Sequence, residues 1–233
     1  MSLNIERNIH PCLAIFDLDE TLIAADSASL WIAYMVKHNL ASEELQQQEE
    51  AMMKAYAQGK LDMADYMQAT LAPMVGKSQQ EINTLVSSFI ESDILPAIYS
   101  DAVARIEWHK KRGDDILIIS ASAEHLVKPI AKHLGVENTI AINLETINGV
   151  YTGQTHGVLS FRQGKIDRLE SWLNNQSNQY RSSYGYSDSI NDLPLLQHVN
   201  KPFAVNPDPA LALHAQMNEW TIMDWRHDNN ILR

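Results

Sequence analysis

Two aspartates separated by one residue end the first apolar run of the sequence. The run 13–16 is followed by Asp17, Leu18 and Asp19, with Thr21 close behind. Because side chains alternate along a strand, Asp17 and Asp19 point to one side and Leu18 to the other. One carboxylate can attack phosphorus to give an acyl phosphate, and its neighbour can move protons to and from the reacting oxygens. This spacing makes the two aspartates candidates for a nucleophile and a general acid–base directed into one crevice.

Other oxygen-bearing residues follow later apolar runs. Ser120 ends the run 116–119, and Asp188 and Asp192 follow the run 183–186. A cluster of carboxylates repels itself unless a cation neutralises it, and hard oxygen ligands suit Mg²⁺, which binds carboxylates together with substrate phosphate. The hydroxyl of Ser120 and the charge of Lys165 would then stabilise a transferring phosphoryl group.

Lys165 stands at an unusual place in its predicted helix. In "RQGKIDRLESWL" it opens the helical pattern 165–173. A cation in the first turn opposes the helix dipole by about 0.3–1 kcal/mol, whereas a bound anion there is favoured by the dipole and the lysine together. The position therefore indicates an anion site.

These residues require particular elements to bring them together. Short apolar runs alternate with helical patterns, which favours right-handed β-α-β crossovers and a mostly parallel sheet, that is, an α/β fold. The predicted strands are 12–16, 116–119, 139–144, 183–186 and 203–205, and the predicted helices between or after them are 97–112, 124–134, 165–173 and 209–217. In such sheets the ligand crevice lies beyond the carboxyl ends of the strands, where the residues above are found.

The stretch 27–93 has a different character. It holds six of the nine methionines and repeats apolar residues at helical spacing, without a strand signal. We expect about four helices inserted after the first strand. The predicted division is a catalytic core of residues 1–26 and 94–233 and a helical domain of residues 27–93. The glycine-containing stretch 147–157 is expected to form an extended excursion or hairpin.

Composition limits the partners and the compartment. The formal charge of −11 and the absence of a basic run disfavour nucleic acid. The single cysteine, Cys12, excludes an intramolecular disulfide and fits a reducing compartment. No segment approaches the length needed to span a bilayer, so we expect a cytoplasmic protein without membrane association. The oligomeric state is not readable.

Four motifs occur in a fixed order: "DLDET" (17–21), Ser120 in "LIISAS", Lys165 in "QGKIDRL", and "SDSINDLPLL" (187–196). In these motifs the sequence resembles the haloacid dehalogenase superfamily of aspartyl phosphatases, specifically subfamily IB, the branch that includes phosphoserine phosphatase. The resemblance covers essentially the whole chain. It implies a Rossmann-like core with an all-helical cap inserted after the first strand. Two positions depart from the family: Glu20 stands where Gly or Ser is common, and Ser187 where Gly usually precedes the motif aspartate.

The resemblance implies a Mg²⁺ cofactor and a role for each motif residue. Asp17 is implied as nucleophile and metal ligand, Asp19 as general acid–base whose backbone carbonyl also binds the metal, and Asp188 as a further ligand. The implied phosphate-binding residues are Thr21, Ser120, Ala121 and Lys165. Asn191 and Asp192 are expected to support the metal waters or Lys165.

The substrate is expected to be a small phosphate monoester. Asp26 lies nine residues after Asp17, where phosphoserine phosphatase places a glutamate that meets the substrate's amino group; a helix N-cap is the alternative role. No arginine occurs between Arg7 and Arg105 to grip a substrate carboxylate, and the corresponding position falls near Thr70. An amino-alcohol phosphate such as histidinol phosphate is therefore preferred over phosphoserine. The specificity candidates are Asp26, Trp31, Tyr34 and Thr70.

Three alternatives stay open at this point. The enzyme could be a phosphoserine phosphatase, or a phosphotransferase that passes the phosphoryl group to another alcohol. The non-enzymatic alternative is a signalling receiver-like module, which also phosphorylates a strand-end aspartate but lacks an acid–base like Asp19. Ser122 is interpreted as the N-cap of the helix 124–134 rather than as a site residue.

Overall fold

A seven-stranded sheet forms the centre of the protein in the computed structural model, which describes residues 10–226. The strands are β1 (Cys12–Phe16), β2 (Asp115–Ala123), β3 (Asn138–Ile147), β4 (Val150–His156), β5 (Ser182–Ser187), β6 (Lys201–Val205) and β7 (Thr221–Met223). Their order across the sheet is β4-β3-β2-β1-β5-β6-β7. All neighbouring strands are parallel except β4, which runs antiparallel to β3.

Nine α-helices lie within the described residues. They are α1 (Ser27–Lys37), α2 (Glu43–Ala57), α3 (Met63–Leu71), α4 (Gln79–Phe89), α5 (Ser100–Lys111), α6 (Glu124–His133), α7 (Gln163–Asn174), α8 (Leu193–His198) and α9 (Pro209–Met217). Among the described residues, no helix combines the length and the apolar character needed to cross a membrane.

Strand β1 occupies the middle of the sheet because every one of its residues is apolar. All five side chains are buried, as expected for a strand covered on both faces. β1 pairs with β2 on one side and with β5 on the other, so the residues after β1, β2 and β5 meet at one edge of the sheet. This edge is where the sequence places its carboxylates.

The segment between β1 and α5 is helical, with α1 to α4 followed by a π-helical turn at Ile90–Ile94. Its buried residues, such as Trp31 and Met35, belong to the same apolar cluster as Phe16 and Tyr186 of the sheet. The packing between the helices and the sheet is therefore continuous. The division at residues 27–93 stays a prediction, and residues 1–9 and 227–233 of the predicted core lie outside the described residues.

The helical segment is joined by backbone hydrogen bonds to the hairpin β3–β4. The amide of Gly76 donates to the carbonyl of Tyr151 at 3.0 Å, and the amide of Tyr151 donates to Lys77 at 2.9 Å. The amide of Gln79 donates to Gly149 at 2.9 Å. The hairpin expected at 147–157 thus exists, and it also holds the chain between α3 and α4.

The α/β fold class with a mostly parallel sheet and a helical insertion is confirmed. Several details differ from the sequence-based prediction. Helix α8 was not predicted, and α5 begins at Ser100 rather than at residue 97. Strand β2 continues to Ala123, so Ser120 lies within it rather than directly after it. Helix α7 begins at Gln163 rather than at Lys165, because Gln163 and Gly164 already adopt the first turn. A three-residue edge strand, β7, was not predicted.

Candidate active site

Asp17 is positioned by the sheet itself. It is the first residue after β1, and its amide donates to the carbonyl of Tyr186 in β5 at 2.9 Å, which continues the parallel hydrogen-bond ladder. This bond fixes Asp17 beside the segment that follows β5 and carries Asp188. The carboxylate of Asp17 is buried, with 6% of the residue exposed.

Lys165 reaches this carboxylate from the first turn of α7. Its Nζ donates to Asp17 Oδ1 at 2.7 Å and to Asp192 Oδ2 at 2.6 Å. Lys165 is 2% exposed. Burial alone lowers a lysine pKa, but the two carboxylates more than offset it, so the Lys165 pKa is raised and the ammonium stays charged.

Asp17 and Asp188 are brought together at Thr21. The Thr21 Oγ1 lies 3.1 Å from Asp188 Oδ1 and 3.4 Å from Asp17 Oδ2, and it accepts from the Asp188 amide at 3.0 Å. Burial raises the pKa of Asp17 to about 7, with Asp192 and Asp19 adding to the rise and Lys165 opposing it. Burial and the nearby Asp17 raise the Asp188 pKa well above its usual value. The site therefore holds more carboxylates than its one contacting ammonium, that of Lys165, can neutralise.

Asp19 lies among hydroxyls and one backbone amide. Its Oδ2 accepts from Ser122 Oγ at 2.7 Å and from Ser120 Oγ at 3.3 Å, while its Oδ1 accepts from the Ser27 amide at 2.7 Å. These groups fix the orientation of the carboxylate, and no ion pair within residues 10–226 involves Asp19. Asp19 therefore presents an oriented carboxylate to the cavity.

Ser122 belongs to this site, and its interpretation as a helix cap is wrong. The residue before α6 is Ala123, which makes no side-chain cap, and Ser122 lies within β2. Alternation along β2 places Ser122 on the same side as Ser120. The two-residue spacing of Ser120 and Ser122 is the sequence feature that could have identified Ser122 as a site residue.

A cavity of about 220 Å³ opens from the strand ends toward the helical segment. Its polar end contains Asp17, Asp19, Asp188 and Ser122, and its wall is largely apolar. The remaining lining residues are Glu20, Asp26, Met53, Tyr56, Ala57, Leu61, Met63, Tyr66, Ala121 and Ser189. The wall residues from α2, α3 and the loop between them were not predicted, because no chemical motif marks an apolar contact surface.

Asp26 is a helix N-cap that also lines the cavity, and its contact with a substrate amine stays a prediction. It is the N-cap of α1, with Oδ1 accepting from the Ser29 amide at 2.8 Å, and it also lines the cavity. Burial, and next the charge of Asp19, raise the Asp26 pKa to about 7. Among the described residues it forms no ion pair.

The other specificity candidates are not brought to this cavity. Trp31 and Thr70 line a separate small cavity behind it, and Thr70 donates to the carbonyl of Tyr66 at 2.9 Å. Tyr34 stacks on Trp31 and meets Phe89 edge-on, inside the helical packing. Trp31 and Tyr34 recur at helical spacing, which does not separate packing from contact with a ligand, and Thr70 was chosen only through the family resemblance.

Asn191 and Asp192 accept hydrogen bonds from positively charged side chains of the protein. Asp192 Oδ2 accepts from Lys165 and from Ser187 Oγ at 2.8 Å, so Ser187, which departs from the family pattern, reinforces Asp192. Asn191 Oδ1 accepts from Arg162. Glu20, the other departure, has a φ of +55°, a conformation that favours glycine, which explains why Gly is common there.

The donor set at the strand ends fits Mg²⁺. Two carboxylates, that of the buried Asp17 and that of the half-buried Asp188, meet across Thr21, and oxygen is the ligand atom that Mg²⁺ prefers. Among the described residues, no three His, Cys, Asp or Glu side chains converge as a metal cluster. The implied ligand set, Asp17, Asp188 and the backbone carbonyl of Asp19, stays a prediction.

Comparison with known proteins identifies the same family as the sequence motifs. The sequence pattern of the haloacid dehalogenase-like hydrolases matches residues 14–197. The chain belongs to this family. It is 37% identical over 219 residues to a histidinol-phosphatase of Neisseria meningitidis serogroup C (strain 8013), covering 92% of this chain and 99% of that protein.

Solved structures confirm the fold. A protein of unknown function from Bordetella pertussis Tohama I superimposes with a TM-score of 0.87 at 32% identity, covering 93% of this chain and 99% of the other. A substrate-bound phosphoserine phosphatase gives 0.69 at 17% identity, covering 93% and 96%. The protein is an enzyme of the phosphatase type within this family, and the receiver-like alternative is not supported.

Proposed function

We propose that the protein is a Mg²⁺-dependent phosphatase that hydrolyses a small phosphate monoester through an aspartyl-phosphate intermediate on Asp17. The observation that carries this proposal is the pairing of two strand-end carboxylates in different environments. Asp17 is bound by the Lys165 ammonium at 2.7 Å, whereas Asp19 is bound by two serine hydroxyls and an amide. Different surroundings suit different tasks, nucleophile and acid–base.

The proposed reaction has two steps. An oxygen of Asp17 forms a bond to phosphorus while the bond from phosphorus to the substrate oxygen breaks, and Asp19 in its acid form gives its proton to the leaving alkoxide. Asp19, now a carboxylate, then takes a proton from a water that attacks phosphorus, and the bond between Asp17 and phosphorus breaks. Lys165 stabilises the charge on the phosphoryl oxygens throughout.

Mg²⁺ bound by Asp17, Asp188 and the Asp19 carbonyl would supply charge neutralisation that lets an anionic phosphate approach these carboxylates. The groups proposed to bind the phosphate alongside Lys165 are Thr21, Ser120 and Ala121. The hydroxyl of Ser122, which donates to Asp19 at 2.7 Å, is added to the proposed acid–base environment.

We further propose that the substrate is an amino-alcohol phosphate such as histidinol phosphate. Asp26 faces the cavity without an ion-pair partner in the described chain, and Glu49 lies behind it, accepting from Ser29 Oγ at 2.6 Å and from the Tyr66 hydroxyl at 3.3 Å. A positively charged amine would offset this buried negative charge, whereas the carboxylate of phosphoserine would add to it. The name of the histidinol-phosphatase relative supports the same substrate class.

A substrate panel with and without Mg²⁺ tests this proposal. We expect hydrolysis of histidinol phosphate and phosphoethanolamine to exceed that of phosphoserine by at least about tenfold in kcat/KM, the scale of one buried charge contact. Asp17→Asn should remove activity on every ester, because the amide cannot attack phosphorus. Asp167→Asn, on the exposed side of α7, is the matched control.

Each outcome of the panel has a distinct meaning. A preference for phosphoserine would overturn the amine proposal while leaving the phosphatase proposal intact. Transfer of phosphate to an added alcohol in preference to water would favour the phosphotransferase alternative. The cytoplasmic location, expected from the single cysteine and from the lack of a segment long enough to span a bilayer, stays a prediction.

A further inference from the structure

Arg162 adopts a conformation that its residue type does not favour. It immediately precedes α7, three residues before Lys165, and its backbone angles are φ +50° and ψ −122°. A residue with a Cβ pays free energy to hold such a conformation, so other contacts must maintain it. The side chain provides those contacts.

The guanidinium of Arg162 bridges two loops. Its Nη2 donates to the carbonyl of Gly59 at 2.8 Å. Its Nε and Nη2 donate to Asn191 Oδ1 at 3.1 and 3.0 Å. The guanidinium carbon also lies 4.8 Å from the centre of the Phe161 ring, and that ring is 5.8 Å from the ring of Tyr56.

The two loops belong to opposite sides of the cavity. Gly59 lies between α2 and α3, next to Tyr56, Ala57 and Leu61, which form the apolar wall. Asn191 follows β5, between the site residues Asp188 and Asp192. One side chain thus connects the loop that forms the wall to the loop that carries the carboxylates.

We propose that Arg162 is a positioning residue that holds the α2–α3 loop against the β5–α8 loop and so fixes the cavity wall over the reacting carboxylates. A guanidinium can do this because it donates several hydrogen bonds in one plane, whereas an ammonium cannot reproduce the same fork. The contact with the end of α2 is also favoured by the negative end of that helix dipole. The inference concerns the site of the proposed function, but its first test does not depend on activity.

Hydrogen exchange of the backbone amides in residues 56–62 provides that first test. In Arg162→Ala these amides should exchange at least about tenfold faster, the effect expected from losing a charge-assisted hydrogen bond. Arg162→Lys should give an intermediate rate and serves as the second variant if the alanine protein fails to fold. Gln163→Ala is the matched control, because the Gln163 side chain is exposed and bonds to Asp167 on its own helix. Unchanged exchange in both Arg162 variants would overturn the proposal.

Kinetics with p-nitrophenyl phosphate and Mg²⁺ provide the second test. We expect kcat/KM to fall about tenfold in Arg162→Ala, with partial rescue by added guanidinium ion. Asn191→Ala should reproduce the loss, and the double variant should be no worse than the poorer single variant, because both substitutions break one connection. Additive losses would show that the two contacts act separately and would contradict the proposal. If no variant or wild type hydrolyses any ester, the exchange result still decides the role of Arg162.

Discussion

At the scale of single residues, Asp26 both caps a helix and lines the cavity. Its Oδ1 begins α1 by accepting from the Ser29 amide, and the same carboxylate lines the cavity. Asparagine caps a helix about as well as aspartate, but it carries no charge. One substitution can therefore remove the charge of Asp26 while keeping the helix cap.

Asp26→Asn should weaken binding of a cationic substrate while the helix persists. We expect KM for histidinol phosphate or phosphoethanolamine to rise at least about tenfold, with kcat/KM for p-nitrophenyl phosphate changed less than about twofold. Asp62→Asn is the control, because Asp62 caps α3 in the same way and is exposed. An equal loss on the amine-bearing esters and on p-nitrophenyl phosphate would argue that Asp26 does not bind the amine.

At the scale of elements, the start of α7 determines where Lys165 lies. Gly164 precedes the lysine, and a Cβ built on it would lie 2.0 Å from the carbonyl oxygen of Leu159. That oxygen is part of the backbone, so it cannot move aside as a flexible side chain would. The close approach of two backbone segments holds the lysine against Asp17.

Gly164→Ala is therefore expected to displace the first turn of α7. We expect a loss of about 1–3 kcal/mol in the free energy of unfolding, as for an overpacked site, together with a large loss of kcat. Urea denaturation and phosphatase assays measure the two effects. Gly157→Ala is the comparison: no atom lies within 4 Å of a Cβ at that position, but its φ of +75° strains any side chain. It should therefore cost about 1–2 kcal/mol of stability without a loss of kcat. Equal losses of kcat from both substitutions would contradict the steric argument.

The sequence predicted the elements and motifs whose signals are local. The five apolar residues of β1 and the strand-end aspartates were found because alternation and burial follow from nearby residue types. Strand β7 was missed because three residues at a sheet edge carry little pattern. The contact between Arg162 and Gly59 could not be predicted, because it joins residues far apart in the chain.

At the scale of the whole molecule, buried histidines affect how stability depends on pH. Both ring nitrogens of His125 are buried and have no hydrogen-bond partner in the described part of the chain, and burial lowers the His125 pKa from 6.5 to about 3. Burial also lowers the His109 pKa, although Asp114 opposes this effect. The raised pKa values of Asp17 and Asp26 act in the opposite direction, because the folded state then holds protons that the unfolded state releases.

Comparison with His125→Gln isolates the histidine contribution. Below pH 6.5 the unfolded wild-type chain binds a proton at residue 125 that the folded chain does not, so wild type loses stability relative to the variant as pH falls. The expected relative loss is about 1.4 kcal/mol per pH unit between pH 6 and 4. Urea denaturation of both proteins at pH 7.5, 6 and 5 measures it. Parallel curves would contradict the burial of a neutral imidazole.

The backbone bonds between the helical segment and the hairpin have a consequence beyond the active site. A sheet edge with unpaired amides and carbonyls can recruit strands from other molecules, which leads to aggregation. Here β4 is one edge of the sheet. The start of β4 and the turn before it form backbone hydrogen bonds with Gly76, Lys77 and Gln79. The opposite edge, β7, is three residues long and offers little to pair with. The insertion that forms the cavity wall therefore also covers the start of this edge, where a strand of another molecule could otherwise pair.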